Sequence, residues 1–286
     1  MIEVRNLKKS YKDKLVLDRI NLTLENGKIY GLVGRNGVGK TTLMKILSNQ
    51  ICEYEGNVKI NGVDIKNDKS FKESIAIISD DFITENQNGE KIKTLLSSFK
   101  SLSPNFNQKR FDELMSLFNI DKKKRYDKLS FGNKSLFRTI IGLSSGAKYL
   151  FLDEPATGLD EINKDILYNK ILTYQDSDNS TIILSSHILN DIEKIADDVI
   201  ILKGQKIIIN DSIEALSENS LKITLNPNDS SLLDDKNVIH TKNIGGQVIA
   251  YVYDRFTRAE LENLRAKALV QPMPLDELFK SLNMEV

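Results

Sequence analysis

The sequence predicts an α/β fold in which helices flank a mixed sheet, with an antiparallel β subdomain, an inserted helical subdomain and a small C-terminal α+β domain. Three observations predict it. A glycine-rich stretch at residues 34–42 separates a strand-like apolar run from a helix-like run. Two later apolar runs, 149–153 and 181–186, have the length of buried strands. From about residue 211 the pattern returns to strand-like alternation, which indicates a separate domain.

The first 62 residues contain short alternating segments that predict an antiparallel sheet next to the glycine-rich stretch. These segments are Ile2–Val4, Leu15–Leu17, Ile20–Leu24 and Val58–Ile60. The apolar run Ile29–Val33 then predicts a buried strand that leads directly into the glycines.

The glycine-rich stretch has the spacing of a P-loop, because four residues separate Gly34 from Gly39 and Lys40, and Thr41 follows. Its glycines let backbone N–H groups approach phosphates at a helix N-terminus. Lys40 is expected to reach the β- and γ-phosphates, and Thr41 to ligate Mg²⁺. The loop therefore predicts a P-loop NTPase core, with a glycine-rich turn that binds nothing as the alternative. The expected nucleotide contacts are Gly34, Arg35, Asn36, Gly37, Val38, Gly39, Lys40, Thr41 and Thr42.

Residues 81–143 show helical periodicity, which predicts a helical subdomain inserted before the next strand. Two sets of apolar residues each fall on one helix face, and both are expected to form the core of this subdomain. The sets are Ile92, Leu95, Leu96 and Phe99, and Phe111, Leu114, Met115 and Phe118.

Two adjacent acids, Asp153 and Glu154, end the apolar strand that starts at Tyr149. Such a pair in isolation is as readily a solvated turn. A parallel strand beside the P-loop strand, however, would bring Asp153 near the metal and Glu154 into position to deprotonate water.

One of the two histidines in the chain, His187, follows the apolar strand 181–186. A lone histidine at a strand end is more often a packed polar residue than a catalytic one. Because this strand is expected to lie beside the phosphate site, His187 is a candidate active-site residue.

The last part, residues 211–286, is predicted to be a small α+β domain. Helix starts are predicted at Asp211 and Thr257, and strands at 221–225, 238–244 and 247–253. Its role is left open between a substrate sensor and a brace for a dimer.

The composition favours a cytoplasmic enzyme. The 286 residues include 40 basic and 40 acidic side chains, so global charge gives no reason to expect nucleic acid as a ligand. The single cysteine, Cys52, excludes an internal disulfide and fits a reducing compartment. No apolar run approaches the roughly 20 residues of a membrane helix, and the N-terminus lacks the apolar segment of a secretion signal.

Taken in order, these motifs resemble those of the ATP-binding subunits of ABC transporters, over about residues 2–210. Residues 34–42 resemble the Walker A loop of that family, 150–154 its Walker B strand and 157–160 its D-loop. His187 matches the switch histidine, and Leu129–Asn133 stands where the family has its LSGGQ signature. Tyr11 matches the aromatic residue on which the family stacks adenine.

The resemblance implies an ATPase that works as a dimer, with ATP between the Walker A loop of one subunit and the signature of the other. It implies that Asp153 and Thr41 hold Mg²⁺, that Glu154 is the general base and that His187 contacts the γ-phosphate. It also implies that the Ser130 hydroxyl and the Gly132 N–H contact ATP held by the opposite subunit. The implied partners are a second ATPase subunit, identical or related, and an integral membrane permease, so the protein is expected on the inner face of the cell membrane.

Three positions depart from the family pattern, and one of them is Asn133, which replaces the glutamine of the signature. Phe131 replaces the first glycine of the signature, and we expect its ring to pack against the helical subdomain. Asp80 replaces the Q-loop glutamine. An acid can still hold Mg²⁺ through an oxygen, but it lacks the donor of an amide and adds charge. Gln87, a few residues on, is the weaker alternative for that role.

The segment Pro274–Phe279 resembles the tail of ATPases that serve ABC-2 exporters of peptides, antibiotics and lipid-linked sugars. It favours export, with cargo chosen by a separate membrane subunit. One alternative is a soluble ABC-type ATPase acting on nucleic acid or ribosomes, for which the expected coiled-coil insertion or second ATPase module is absent. Another is a regulatory subunit that binds ATP without hydrolysis, against which Asp153, Glu154 and His187 argue.

Overall fold

The computed structural model describes residues 1–66 and 70–284, and the chain divides into two compact units. The first unit comprises residues 1–187 and 194–210, and the second comprises residues 188–193 and the chain from residue 211 onward. The predicted boundary between functional domains at residues 210 and 211 stays a prediction.

Strands and helices are numbered in chain order. The strands are β1 Ile2–Tyr11, β2 Lys14–Leu24, β3 Ile29–Val33, β4 Glu55–Ile60, β5 Val63–Asp64, β6 Ile75–Ile78, β7 Tyr149–Asp153, β8 Thr181–Ser186, β9 Asp198–Lys203, β10 Lys206–Ser212, β11 Ser220–Leu225, β12 Val238–Ile244, β13 Gln247–Tyr253 and β14 Leu269–Pro272. The helices are α1 Lys40–Leu47, α2 Ile92–Leu102, α3 Gln108–Leu117, α4 Phe131–Ser144, α5 Glu161–Asp178, α6 Leu189–Glu193, α7 Ile213–Asn219, α8 Arg258–Lys267 and α9 Leu275–Asn283.

The core of the first unit is a six-stranded sheet in the order β10-β9-β3-β8-β7-β6. Strands β6, β7, β8, β3 and β9 pair in parallel. β3 and β8 are buried along their whole length, as expected for parallel strands covered on both faces. The register pairs Val33 with Ser186 and Asp153 with Ser185, so β3, β7 and β8 end at one edge of the sheet.

The predicted antiparallel subdomain is a four-stranded sheet in the order β2-β1-β4-β5. The two segments predicted at 15–17 and 20–24 are one long strand, β2. The chain continues through an irregular register at this point, where Arg19 has φ 50.

The predicted helical region contains α2, α3 and α4, and both predicted apolar faces are buried. The aromatic rings of Phe111 on α3 and Phe137 on α4 meet edge to face with centroids 6.4 Å apart. Ser130 caps α4, because its side chain accepts a hydrogen bond from the Asn133 N–H. The two apolar helix faces therefore form the core of the helical region, as the sequence predicts.

The second unit is an α+β structure whose sheet has the order β12-β13-β11-β14. Its three predicted strands are present, and Thr257 caps α8 in a capping box with Glu260. Strand β14, which has only four residues, and helix α9 are elements that the sequence pattern does not indicate. Pro274 is the N-cap of α9 and cannot offer a capping side chain.

Of the helices in residues 1–66 and 70–284, none combines the length and the apolar composition that crossing a membrane requires.

Candidate active site

The glycine-rich loop connects β3 to α1 and has a backbone that only glycine adopts easily. Gly37 has φ 77 and Gly39 has φ 114. A Cβ built on Gly39 would lie 3.1 Å from the Val16 carbonyl oxygen, so a larger residue would meet both strain and crowding there. Beside the loop lies a cavity of about 380 Å³. It is lined by Val16, Asn36, Gly37, Gly39, Lys40, Thr41, Thr42, Asp80, Asp153 and Glu154.

Lys40 is buried at the base of this cavity, with 7% of its side chain exposed. Its ammonium donates to the Gly34 carbonyl oxygen at 2.7 Å and lies 3.9 Å from Glu154 Oε1. Burial lowers the pKa of Lys40, and the negative charges of Glu154 and Asp153 oppose that shift. The ammonium thus lies beside the loop carbonyls and the acid at the end of β7.

The carboxylate of Asp153, at the end of β7, accepts hydrogen bonds from hydroxyl groups on two other elements. The Thr41 hydroxyl donates to Asp153 Oδ2 at 2.6 Å, and the Ser185 hydroxyl donates to Asp153 Oδ1 at 2.5 Å. The Ser185 oxygen also accepts from the Glu154 N–H at 2.9 Å. Ser185 is thus a positioning residue that is absent from the predicted site, although its place near the end of a buried strand is a signal for it.

The donor set fits Mg²⁺. The hydroxyl of Thr41 and the carboxylate of Asp153 are hard oxygen ligands, and Mg²⁺ typically takes one or two protein oxygens with water and phosphate. In the described ranges there is no cluster of three or more His, Cys, Asp or Glu side chains suited to holding a metal by themselves.

Glu154 and His187 are brought together across the ends of β7 and β8. His187 Nδ1 lies 2.8 Å from Glu154 Oε2, and the Thr157 hydroxyl donates to the same oxygen at 3.3 Å. Glu154 has φ 51, a left-handed conformation that non-glycine residues seldom adopt. Such strain is concentrated at functional sites, and here it accompanies a carboxylate oriented by two side chains.

The signature loop corrects one expectation. Phe131 is 58% exposed, and a Cβ built on Gly158 would lie 2.5 Å from Phe131 Cδ1. The ring therefore lies against Gly158 of the predicted D-loop rather than against the helical subdomain. The cause is the backbone of another loop, because Gly132, the next residue on α4, also meets Gly158: a Cβ built on Gly132 would lie 2.4 Å from the Gly158 carbonyl oxygen.

Asp80 lines the cavity, but it already has a cationic partner. Arg138 Nη2 donates to Asp80 Oδ1 at 2.5 Å. The weaker candidate, Gln87, accepts from the Thr84 N–H at 3.1 Å and closes a capping box outside this cavity. A metal-ligating role for Asp80 stays a prediction.

Tyr11 ends β1 and is 46% exposed. The Lys9 ammonium lies 4.8 Å from the centroid of its ring, within cation–π range. Tyr11 does not line the cavity around Lys40 in the described part of the chain. Adenine stacking on its ring stays a prediction.

The fold and this loop define a P-loop nucleoside triphosphatase, with the phosphate loop, a strand-end acid pair and a histidine at one sheet edge. A family model described as ABC transporter matches residues 17–157. The lantibiotic transport ATP-binding protein SrtF of Streptococcus pyogenes is 33% identical, over 77% of this chain and 93% of SrtF. The chain belongs to the family of ABC transporter ATP-binding proteins, and it is an ATP-hydrolysing subunit of that family.

A second relative matches nearly the whole chain. The ABC transporter ATP-binding protein YtrB of Bacillus subtilis is 28% identical over 98% of this chain and 97% of YtrB. A solved ATP-binding subunit of an ABC transporter is 20% identical with a TM-score of 0.66, over 76% of this chain and 91% of that chain. At this identity the structural likeness supports the fold.

Proposed function

We propose that this ATPase drives export of a peptide or antibiotic through a separate membrane subunit, as one of two ATPase subunits in the transporter. The observation that carries the cargo class is the 33% identity to a protein named for lantibiotic transport, over 93% of that protein. The resemblance of Pro274–Phe279 to the tail of exporter ATPases supports transport out of the cell.

In the proposed reaction the residues of the cavity bind and orient ATP. Lys40 and the loop amides stabilise phosphate charge, since the ammonium and the α1 N-terminus lie at the same cavity. Thr41 and Asp153 would hold Mg²⁺, which neutralises charge on the transferred phosphoryl group. Glu154 takes a proton from the water that attacks the γ-phosphorus, and ADP leaves as the bond from its terminal oxygen to that phosphorus breaks. His187, whose Nδ1 lies 2.8 Å from Glu154 Oε2, would orient that carboxylate and contact the γ-phosphate.

The signature loop is proposed to act on a nucleotide bound by a second copy or a related subunit. Ser130 and Gly132 stand at the start of α4, so a hydroxyl and a helix N-terminal N–H are both available for phosphate. Closure of the pair around ATP and its reopening after hydrolysis would then move the membrane subunit. The protein would work on the inner face of the cell membrane, without nucleic acid.

Transport in vesicles tests this proposal. We expect inside-out vesicles that hold this ATPase and its multi-span partner to accumulate a fluorescent lantibiotic-class peptide when ATP is added. A Glu154→Gln complex serves as the control and should give no accumulation. Hydrolysis of ATP without any peptide movement in wild-type vesicles would contradict the proposed cargo, and ATP-dependent loss of preloaded peptide would contradict the direction.

Adenine recognition gives a separate prediction. We expect Tyr11→Ala to weaken ATP binding by roughly 1–3 kcal/mol, the range for loss of base–aromatic stacking. Tyr11→Phe should recover most of this loss, because the ring face and not the hydroxyl makes the contact. Calorimetric titration with ATP measures both. Equal weakening in the two variants would remove the stacking role.

A further inference from the structure

The cavity for ATP has an unusual charge balance for a site that binds a polyanion. Among its lining residues, Asp80, Asp153 and Glu154 carry carboxylates, whereas Lys40 alone carries a positive charge. The charge of Asp153 is explained by its proposed role as a Mg²⁺ ligand, and the charge of Glu154 by its proposed role as the general base. Asp80 adds a third negative charge at the place where the resembled family has a neutral glutamine, so its charge calls for compensation.

The compensating group is Arg138, on α4. Its Nη2 donates to Asp80 Oδ1 at 2.5 Å, and its Nη1 lies 3.3 Å from the Asp80 carbonyl oxygen. The Arg138 side chain is 10% exposed, whereas that of Asp80 is 77% exposed. The guanidinium is thus the buried member of the pair, and the carboxylate, which lines the cavity, stays largely exposed.

Arg138 also contacts the segment just before the signature loop. Its Nη1 donates to the Tyr126 hydroxyl at 3.4 Å, and Tyr126 lies four residues before Ser130. Tyr126 itself packs against Phe137 of α4, with ring centroids 5.7 Å apart. One buried guanidinium thus joins the cavity wall after β6, the turn before the signature and the helix that follows it.

We propose that Arg138 is a positioning residue of the ATP site, which neutralises Asp80 at the cavity wall and ties that wall to the signature helix. In this arrangement Asp80 is tolerated beside the triphosphate because its charge is paired. Without Arg138 the carboxylate would repel ATP, most strongly when no divalent cation screens the phosphates. This inference rests on the proposed ATP site and goes beyond it.

A double-mutant cycle on ATP affinity tests the pairing. We expect Arg138→Gln to weaken ATP binding in EDTA by about three- to tenfold, allowing for the exposure of Asp80. The loss should be smaller with Mg²⁺. Adding Asp80→Asn to Arg138→Gln should restore the EDTA affinity to within about twofold of wild type, because the unpaired charge is then gone.

The matched control is Arg125→Gln. Arg125 also pairs with an aspartate, Asp127, at 3.1 Å, but neither residue lines the cavity. It should leave ATP affinity unchanged within twofold. If Arg138→Gln does not fold, Arg138→Lys carries the test, alone and with Asp80→Asn. Lysine keeps the charge, so Arg138→Lys should retain affinity to within about threefold, and the double variant should not bind worse.

Two results would overturn the inference: failure of Asp80→Asn to rescue the Arg138→Gln protein, or a loss of the same size with and without Mg²⁺. Either would mean that Arg138 only packs α4. Wild-type protein that does not bind ATP at all would instead overturn the proposed ATP site itself, so the two failures are distinguishable.

Discussion

Replacing Glu154 with glutamine is expected to lower ATP turnover by about 10²- to 10⁴-fold, the typical effect of removing a general base. ATP binding should be retained, because glutamine keeps the shape of the side chain and removes a charge near the phosphates. The contact with His187 at 2.8 Å can persist as a hydrogen bond to the amide. Steady-state phosphate release and calorimetric ATP titration measure the two quantities separately.

The control is Lys40→Ala, which should lose binding itself. Lys40 is buried at the cavity, where its ammonium is expected to contact phosphate. In the alanine variant no other lining residue among those described supplies that positive charge. The Glu154→Gln protein should also accumulate as a dimer with ATP in size-exclusion chromatography. If the Glu154→Gln protein hydrolyses ATP at the wild-type rate, another residue is the general base.

Substituting alanine at Gly132 is expected to lower turnover at least about a hundredfold and to prevent ATP-dependent dimerisation. The added Cβ would lie 2.4 Å from the Gly158 carbonyl oxygen, a backbone atom that cannot move without its loop. The signature and the predicted D-loop would both shift, while the Lys40 cavity is built from other elements. ATP binding to the monomer should therefore stay within about threefold of wild type, as measured by titration below the dimerisation range.

Phe131→Ala is the matched control for Gly132→Ala. It changes the neighbouring residue and removes the ring beside Gly158 without adding an atom next to a carbonyl. We expect this variant to keep its ATPase activity within about threefold. A fully active Gly132→Ala protein would contradict a role for this close contact in catalysis.

The sequence was most informative where local chemistry and neighbouring structure agree. The P-loop spacing predicts the strand, turn and helix around Lys40, because its glycines stand where the turn needs positive φ, at Gly37 and Gly39. The parallel strands at 149–153 and 181–186 follow from the apolar runs within them, Tyr149–Leu152 and Ile182–Leu184. Because these strands end at one edge, the proximity of Asp153, Glu154 and His187 could be expected.

Contacts between distant segments were not predictable in the same way. Nothing in the local sequence around Arg138 indicates that it reaches Asp80, 58 residues earlier in the chain. The Phe131 ring was placed wrongly because its direction depends on the backbone of Gly158, which another loop supplies. The sequence does not indicate helix α9, because Pro274 occupies its N-cap position and offers no capping side chain.

The central claim is that ATP is hydrolysed at a site shared between two subunits, and specific activity across a protein concentration series tests it most directly. The series should run from well below to well above the concentration at which Glu154→Gln dimerises with ATP. We expect wild-type activity per subunit to rise through that range and then level off, with Gly132→Ala low throughout. Wild-type specific activity that is flat across the whole range would contradict the shared site.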